Sequence, residues 1–141
     1  MTEIRFDNET IGYVRLFEEA TGARVHDCFS IEEKLVVLVE AEDLAKAVGP
    51  GGARVERLKA LLKREIMVVA DADDPSVLAK NIFYAYQPRS VEIGVKGRVR
   101  HATVTVDPAW KARAIGTQGK NLKIARAILL RHTDIGSVSV A

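Results

Sequence analysis

An internal repeat constrains this chain more than any other feature. The segment Ala47-Val48-Gly49-Pro50-Gly51-Gly52 returns as Ala114-Ile115-Gly116-Thr117-Gln118-Gly119, an offset of 67 residues (116 − 49). The offset holds beyond the glycines. Upstream, Val37 and Val39 fall on Val104 and Val106, Glu40 on Asp107, Ala45 on Ala112 and Lys46 on Arg113. Downstream, Val55 falls on Leu122 and Leu62 on Leu129, and far upstream Asp7 falls on Asp74. A repeat of this length is two copies of one supersecondary unit, each too small to bury much core alone. We expect one domain over residues 1–74 and a second over 75–141.

Local signals give the same element order in both copies. Asp7 or Asn8 caps a helix with apolar positions at Tyr13, Leu16, Phe17 and Ala20, stopped by Gly22. Short valine-rich or alternating runs at 23–29 and 34–40, joined by Ser30-Ile31-Glu32-Glu33, predict paired strands. A short helix from Asp43 over 43–48, the glycine loop, a helix over 53–64 with Val55, Leu58, Leu61 and Leu62 on one face, and a β-branched strand from Ile66 to Ala70 complete the unit. In the second copy, Asp74-Pro75 is a cap followed by a first-turn proline, Leu78, Ile82 and Phe83 form the apolar stripe, and Pro88 ends the helix. A hairpin over 91–95 and 101–106 turns at Lys96-Gly97-Arg98. Helices from Pro108 to Ile115 and over Asn121–Arg131 follow, then a strand over Ile135–Val140. Each half is therefore α-β-β-α-α-β, an α+β unit with a three-stranded sheet packed against helices.

Charge is segregated along this repeat. The first 44 residues carry 4 basic and 11 acidic side chains, a balance of −7, whereas residues 45–141 carry 17 and 8, a balance of +9. From Pro108 to Thr133 there are six Lys or Arg and no acid, a field that attracts a polyanion. No apolar run approaches the ~20 residues of a membrane span, and the opening Met1–Asp7 segment does not resemble a secretory signal. A soluble, cytoplasmic protein is expected. The lone Cys28 forms no internal disulfide and reads as a packed apolar side chain. His26 and Cys28 lack a second close pair to complete a metal site, so no metal or other cofactor is expected.

Two glycines three apart between helices suit a sugar-phosphate backbone. The chain there offers clearance, and the following helix offers free N–H groups and its positive dipole end. Two other phosphate-binding readings fail. Gly119-Lys120 ends like a P-loop, but Ala114 stands where that loop needs glycine and Asn121 where it needs serine or threonine. A dinucleotide fingerprint from Gly49 would need glycine at Arg54 and a preceding strand. The duplicated loops instead match KH modules, which clamp about four nucleotides in this way. Val48, Val55, Ile115 and Leu122 would form the groove floor beneath bases. Trp110 reads as helix packing and Tyr84 and Tyr86 as interdomain packing, since aromatics are too sparse for a stacking sheet.

The whole pattern resembles the short archaeal NusA-like transcription factors, which are similar to the tandem KH portion of bacterial NusA. The residues carrying the resemblance are Leu16 to Ala23, Asp27-Cys28, the two glycine loops, Asp73-Asp74-Pro75 and Val106-Asp107-Pro108. The resemblance implies type II KH folds and a role in transcription termination or elongation through RNA contact. One departure matters: family loops commonly hold a basic residue between the glycines, whereas this chain has Pro50-Gly51 and Thr117-Gln118. Lys120 and Lys123 in the second copy, and Arg54 and Arg57 in the first, are the expected substitutes.

The expected mechanism is non-catalytic, because no nucleophile–base or paired-carboxylate arrangement can be assembled from local motifs. Single-stranded RNA passes over Gly49, Pro50, Gly51 and Gly52 and over Gly116, Thr117, Gln118 and Gly119, with nearby Lys and Arg supplying salt-sensitive attraction. No membrane or small-molecule substrate is implied. The rival reading is a protein-docking module in which the acidic first 44 residues engage RNA polymerase or another ribonucleoprotein machine.

Overall fold

The computed structural model describes residues 8–141; the expected Asp7 cap and the opening Met1–Asp7 segment lie outside the described residues. The chain divides into two compact units, with the boundary between Asp71 and Ala72.

The first unit contains α1 (Asn8–Thr21), β1 (Val25–Ile31), β2 (Lys34–Val39), α2 (Leu44–Val48), α3 (Ala53–Leu62) and β3 (Glu65–Ala70). Its sheet order is β1-β2-β3, with β1 antiparallel and β3 parallel to β2. A parallel neighbour needs a long crossover, which α2 and α3 provide. The second unit contains α4 (Pro75–Ile82), β4 (Ser90–Lys96), β5 (Val99–Thr105), α5 (Pro108–Ile115), α6 (Lys120–His132) and β6 (Ile135–Val140). Its sheet, β4-β5-β6, has the same sense of pairing. Both units therefore have the α-β-β-α-α-β order and α+β class that the repeat demands.

Alternation along the strands builds the first core. Leu35, Val37 and Val39 of β2 lie with Cys28 and Ile66 against Phe17 of α1, Ala47 of α2 and Leu58 of α3. In the second unit Ala102 and Val104 of β5 are fully buried, as are Leu78, Ile124, Ala125, Ile128 and Leu129 from the helices. Burying a Leu or Ile side chain of this kind stabilises by about 1.5–3 kcal/mol.

Several expected boundaries shift for local reasons. On α1 the buried line is Phe17 and Thr21 with Tyr13 and Val14 beside them, whereas Leu16 is 43% exposed and Ala20 is exposed. Thr21 tolerates burial because its hydroxyl donates to the Phe17 carbonyl at 2.7 Å and accepts from Ala23 N–H at 3.0 Å. Leu61, expected on the core face of α3, is 65% exposed. The first hairpin turns on Glu32-Glu33 alone, with φ of 50° and 65°, so Ser30 and Ile31 belong to β1, which starts at Val25. Positive φ at both positions matches the twist of the flanking strands. The second hairpin likewise needs only Gly97-Arg98, and Lys96 pairs with Val99.

Asp43 does not cap α2. A 3-10 turn over Ala41–Asp43 precedes the helix, and the Asp43 carboxylate accepts from Arg24 N–H at 2.9 Å instead. Asp74 and Asp107 do cap α4 and α5, accepting from Ser76 and Ala109 N–H at 2.9 Å, each followed by proline. Helix α4 stops at Ile82, short of Pro88, and a 3-10 turn over Tyr84–Tyr86 leads to Gln87 at φ 52°. Proline denies its predecessor the helical conformation. Among the described residues no helix is long and apolar enough to cross a membrane.

Candidate nucleic-acid interface

The two glycine loops differ in sequence yet share one backbone course. Helix α2 ends at Gly49 (φ 78°, ψ 170°) and α5 at Gly116 (φ 81°, ψ 163°), a region that essentially only glycine adopts. A 3-10 turn follows in each, closed by Gly52 N–H to Gly49 O at 3.1 Å and by Gly119 N–H to Gly116 O at 3.0 Å. Gly51 and Gln118 then both take left-handed angles, as do Gly52 and Gly119, before α3 and α6 begin.

The two glycines of each loop serve different ends. A Cβ on Gly116 would lie 2.9 Å from the backbone N of Asn121, and one on Gly49 2.8 Å from Arg54 Cγ and 3.0 Å from Arg54 N. The first glycine thus lets the second helix close on the loop. A Cβ on Gly52 or Gly119 would meet nothing within 4 Å. The last glycine keeps open ground in front of the helix N-terminus. Pro50, Gly51, Thr117 and Gln118 are exposed between them.

Behind each loop the buried Ala47 and Ala114 allow the helix pair to approach, and Val48, Val55, Ile115 and Leu122 are half-buried beside it. Arg54 and Asn121 are repeat equivalents that do the same work. Arg54 Nη1 donates to the Lys46 carbonyl at 2.6 Å and Asn121 Nδ2 to the Arg113 carbonyl at 2.8 Å, satisfying a helix-end oxygen left without an intrahelical partner. Asn121 Nδ2 also donates to Tyr86 Oη at 2.9 Å, so Tyr86 packs within its own unit, beside the second loop. Sequence reading did not connect these residues, which stand 35 positions apart.

The basic residues are not equivalent between units. By the offset, Lys120 and Lys123 correspond to Ala53 and Glu56, while Arg57 corresponds to the buried Ile124. Arg57 is exposed on α3, so Arg54 and Arg57 do not occupy places comparable to Lys120 and Lys123. Near the first loop cations face carboxylates: Lys59 lies 3.1 Å from Glu56 and 3.5 Å from Glu65, and Lys46 3.8 Å from Asp43. Among the described residues Lys111, Arg113, Lys120 and Lys123 form no ion pair, and the Arg113 guanidinium lies over the Trp110 ring at 5.5 Å. The acids flanking this stretch pair elsewhere, Asp107 with Arg89 at 2.7 Å and Asp134 with Arg100 at 2.6 Å.

A separate polar cluster closes one end of the first sheet. His26 is the extra residue of a β-bulge between Val25 and Asp27, and its Nδ1 and Nε2 lie 2.8 Å from Asp71 and from Glu40 respectively. Partial burial opposes its protonation, but the hydrogen bonds and charges of Asp71 and Glu40 outweigh it and hold the imidazole pKa above the ordinary 6.5. Cys28, two residues on, is packed in the apolar core.

Twin helix–loop–helix elements, one in each of two α+β units, with the second followed by lysines that form no ion pair among the described residues, define a two-module protein. Comparison with known proteins narrows this. A Halobacterium salinarum protein described as "Probable transcription termination protein NusA" is 30% identical over 138 residues, covering 97% of this chain and 98% of that protein. A Methanococcus vannielii protein of the same description is 31% identical over 137 residues, covering 97% of this chain and 79% of its own length. The crystal structure of APE1850 matches with a TM-score of 0.78 at 28% identity, over 96% of this chain and all of that one. No protein-family profile matches the chain. The chain belongs to the archaeal family of NusA-like transcription termination proteins.

Proposed function

We propose that the chain is a non-catalytic RNA-binding transcription factor with two type II KH modules, acting in the cytoplasm on nascent single-stranded RNA to modulate termination or elongation beside RNA polymerase. The observation that carries this reading is the common loop geometry: unlike sequences adopt the same left-handed course, and the last glycine of each keeps clear space before a helix N-terminus. A phosphate can approach backbone N–H groups only across such space. Base recognition would use the half-buried apolar residues beside each loop, Val48 with Val55 and Ile115 with Leu122. The family relationship supplies the transcriptional setting.

The second module is the stronger site on this reading, because Lys120 and Lys123 sit at its loop with no carboxylate partner among the described residues, whereas Glu56 stands in the Lys123 position of the first. Arg54 serves the first loop chiefly as a brace that carries a charge, and Arg57 as an exposed flanking cation.

The test is binding of short single-stranded RNAs across a salt series by wild type and by a Thr117→Asp/Gln118→Asp double variant. Both positions are exposed, so the added negative charge meets phosphate without disturbing the core. Salt-sensitive binding lost in the folded variant supports the groove mechanism. Absent wild-type binding, or equal binding by both proteins, refutes it and favours the protein-docking alternative.

A further inference from the structure

The turn between α4 and β4 carries a feature that the loops do not explain. After the buried Phe83, Tyr84 projects with 73% of its surface exposed. It lines an open hollow of about 530 Å³, formed with Lys80, Asn81, Ala85, Gln87 and Pro88. That volume lies within the roughly 300–1,000 Å³ of small-ligand clefts. An isolated exposed tyrosine is ordinary. This one lies in a hollow with a cation, two carboxamides and no acid, and among the described residues no carboxylate pairs with Lys80.

The turn is also pinned to the second glycine loop. Tyr86 N–H bonds Phe83 O at 2.9 Å and Gln87 N–H bonds Tyr84 O at 3.1 Å, so the turn is internally closed. Tyr86 Oη accepts from Asn121, the residue whose backbone N lies against Gly116. Tyr84 is thereby presented on a closed turn whose other tyrosine is hydrogen-bonded to the residue bracing the loop.

We infer that this hollow is a base-stacking subsite for single-stranded RNA, with the Tyr84 ring stacking on a nucleobase, Lys80 meeting a phosphate and Gln87 reaching a base edge. The inference rests on the loop reading and extends the RNA path beyond the glycine loop of the same unit. Stacking on an exposed ring tolerates any base, and the adjoining cation suits the backbone between bases. A protein anchor would need a cluster of larger apolar side chains, whereas Ala85 and Pro88 are the only aliphatic members here.

The experiment measures fluorescence anisotropy of a labelled mixed-sequence RNA decamer with wild type, Tyr84→Ala, Tyr84→Phe and the Thr117→Asp/Gln118→Asp variant, each checked for an unchanged thermal transition. Tyr84→Ala is expected to weaken binding by about 5- to 30-fold while Tyr84→Phe stays within about twofold, since the ring and not the hydroxyl stacks. Unchanged affinity in Tyr84→Ala, with binding lost in the loop variant, overturns the subsite and leaves the loop reading intact. Equal losses in Tyr84→Ala and Tyr84→Phe overturn stacking. RNA binding that is absent in wild type or intact in the loop variant refutes the loop reading itself, and the subsite with it.

Discussion

Replacing Gly116 and Gly119 separately by alanine tests the division of labour between loop glycines. At Gly116 the new Cβ meets the Asn121 backbone at 2.9 Å, in a φ/ψ region that costs a non-glycine residue about 1–3 kcal/mol. Asn121 can yield only by disturbing its bonds to Arg113 O and Tyr86 Oη, worth about 1 kcal/mol each. The loss should reach about 3–5 kcal/mol, a large share of the roughly 3.5–10 kcal/mol that a unit of this size holds. At Gly119 the Cβ meets nothing. The left-handed penalty of about 1–2 kcal/mol is offset by about 0.4–1 kcal/mol from the stiffer unfolded chain, leaving about 1 kcal/mol. Trp110 is the single tryptophan, so its fluorescence followed on heating reports the second unit selectively. Gly116→Ala should lower that unit's thermal midpoint by more than about 12 °C and Gly119→Ala by about 4–8 °C. Gly119→Ala, still folded at 25 °C, should nevertheless lose RNA affinity. Equal destabilisation by the two substitutions, or a larger loss at Gly119, refutes the assignment.

The remaining predictions concern charge. Because the His26 pKa is raised in the folded state, its contribution is fully present below the ordinary 6.5 and is lost as pH rises through the raised folded value. Amide exchange in β1 and β3 should therefore quicken across that window in wild type, beyond the intrinsic rise of exchange with pH, and His26→Gln should remove the excess. A Lys120→Gln/Lys123→Gln variant should bind RNA more weakly and reduce the salt slope, log K against log[salt], by about 1.4, from roughly 0.7 per neutralised single-strand phosphate. An unchanged slope would exclude both lysines from phosphate contact.

The repeat made the element order legible because it compares the chain with itself: two weak readings of each helix or strand become one strong one. Boundaries were less legible where a single residue redirects the backbone. Glu32 and Glu33 accept positive φ, so the first hairpin is tighter than the polar run Ser30–Glu33 suggests. The core face of α1 was misplaced because Thr21 looks polar, yet closes its hydroxyl on the Phe17 carbonyl and takes the buried position. At the candidate interface the glycines and their apolar neighbours were visible from spacing. The distinction between Arg54 and Lys120 was not, since neighbouring helical positions point about 100° apart and only one of them reaches back to a carbonyl. The Tyr86–Asn121 bond and the His26–Asp71–Glu40 cluster join residues 35, 45 and 14 positions apart, beyond any local pattern.

The shared backbone and divergent charge of the two loops bear on the proposed RNA binding, since neither loop has a basic residue between its glycines. In the first unit Lys46 and Lys59 already face Asp43, Glu56 and Glu65, so an incoming phosphate would compete with carboxylates for the same cations. In the second, Asp107 and Asp134 are drawn off by Arg89 and Arg100, which leaves the loop cations to an external anion. A strong site joined to a weak one in a single chain need not match the affinity of two strong sites. On the proposed reading, an RNA engaged by the second loop would meet the first at an effective concentration set by the intervening chain, so the overall affinity would exceed that of either loop.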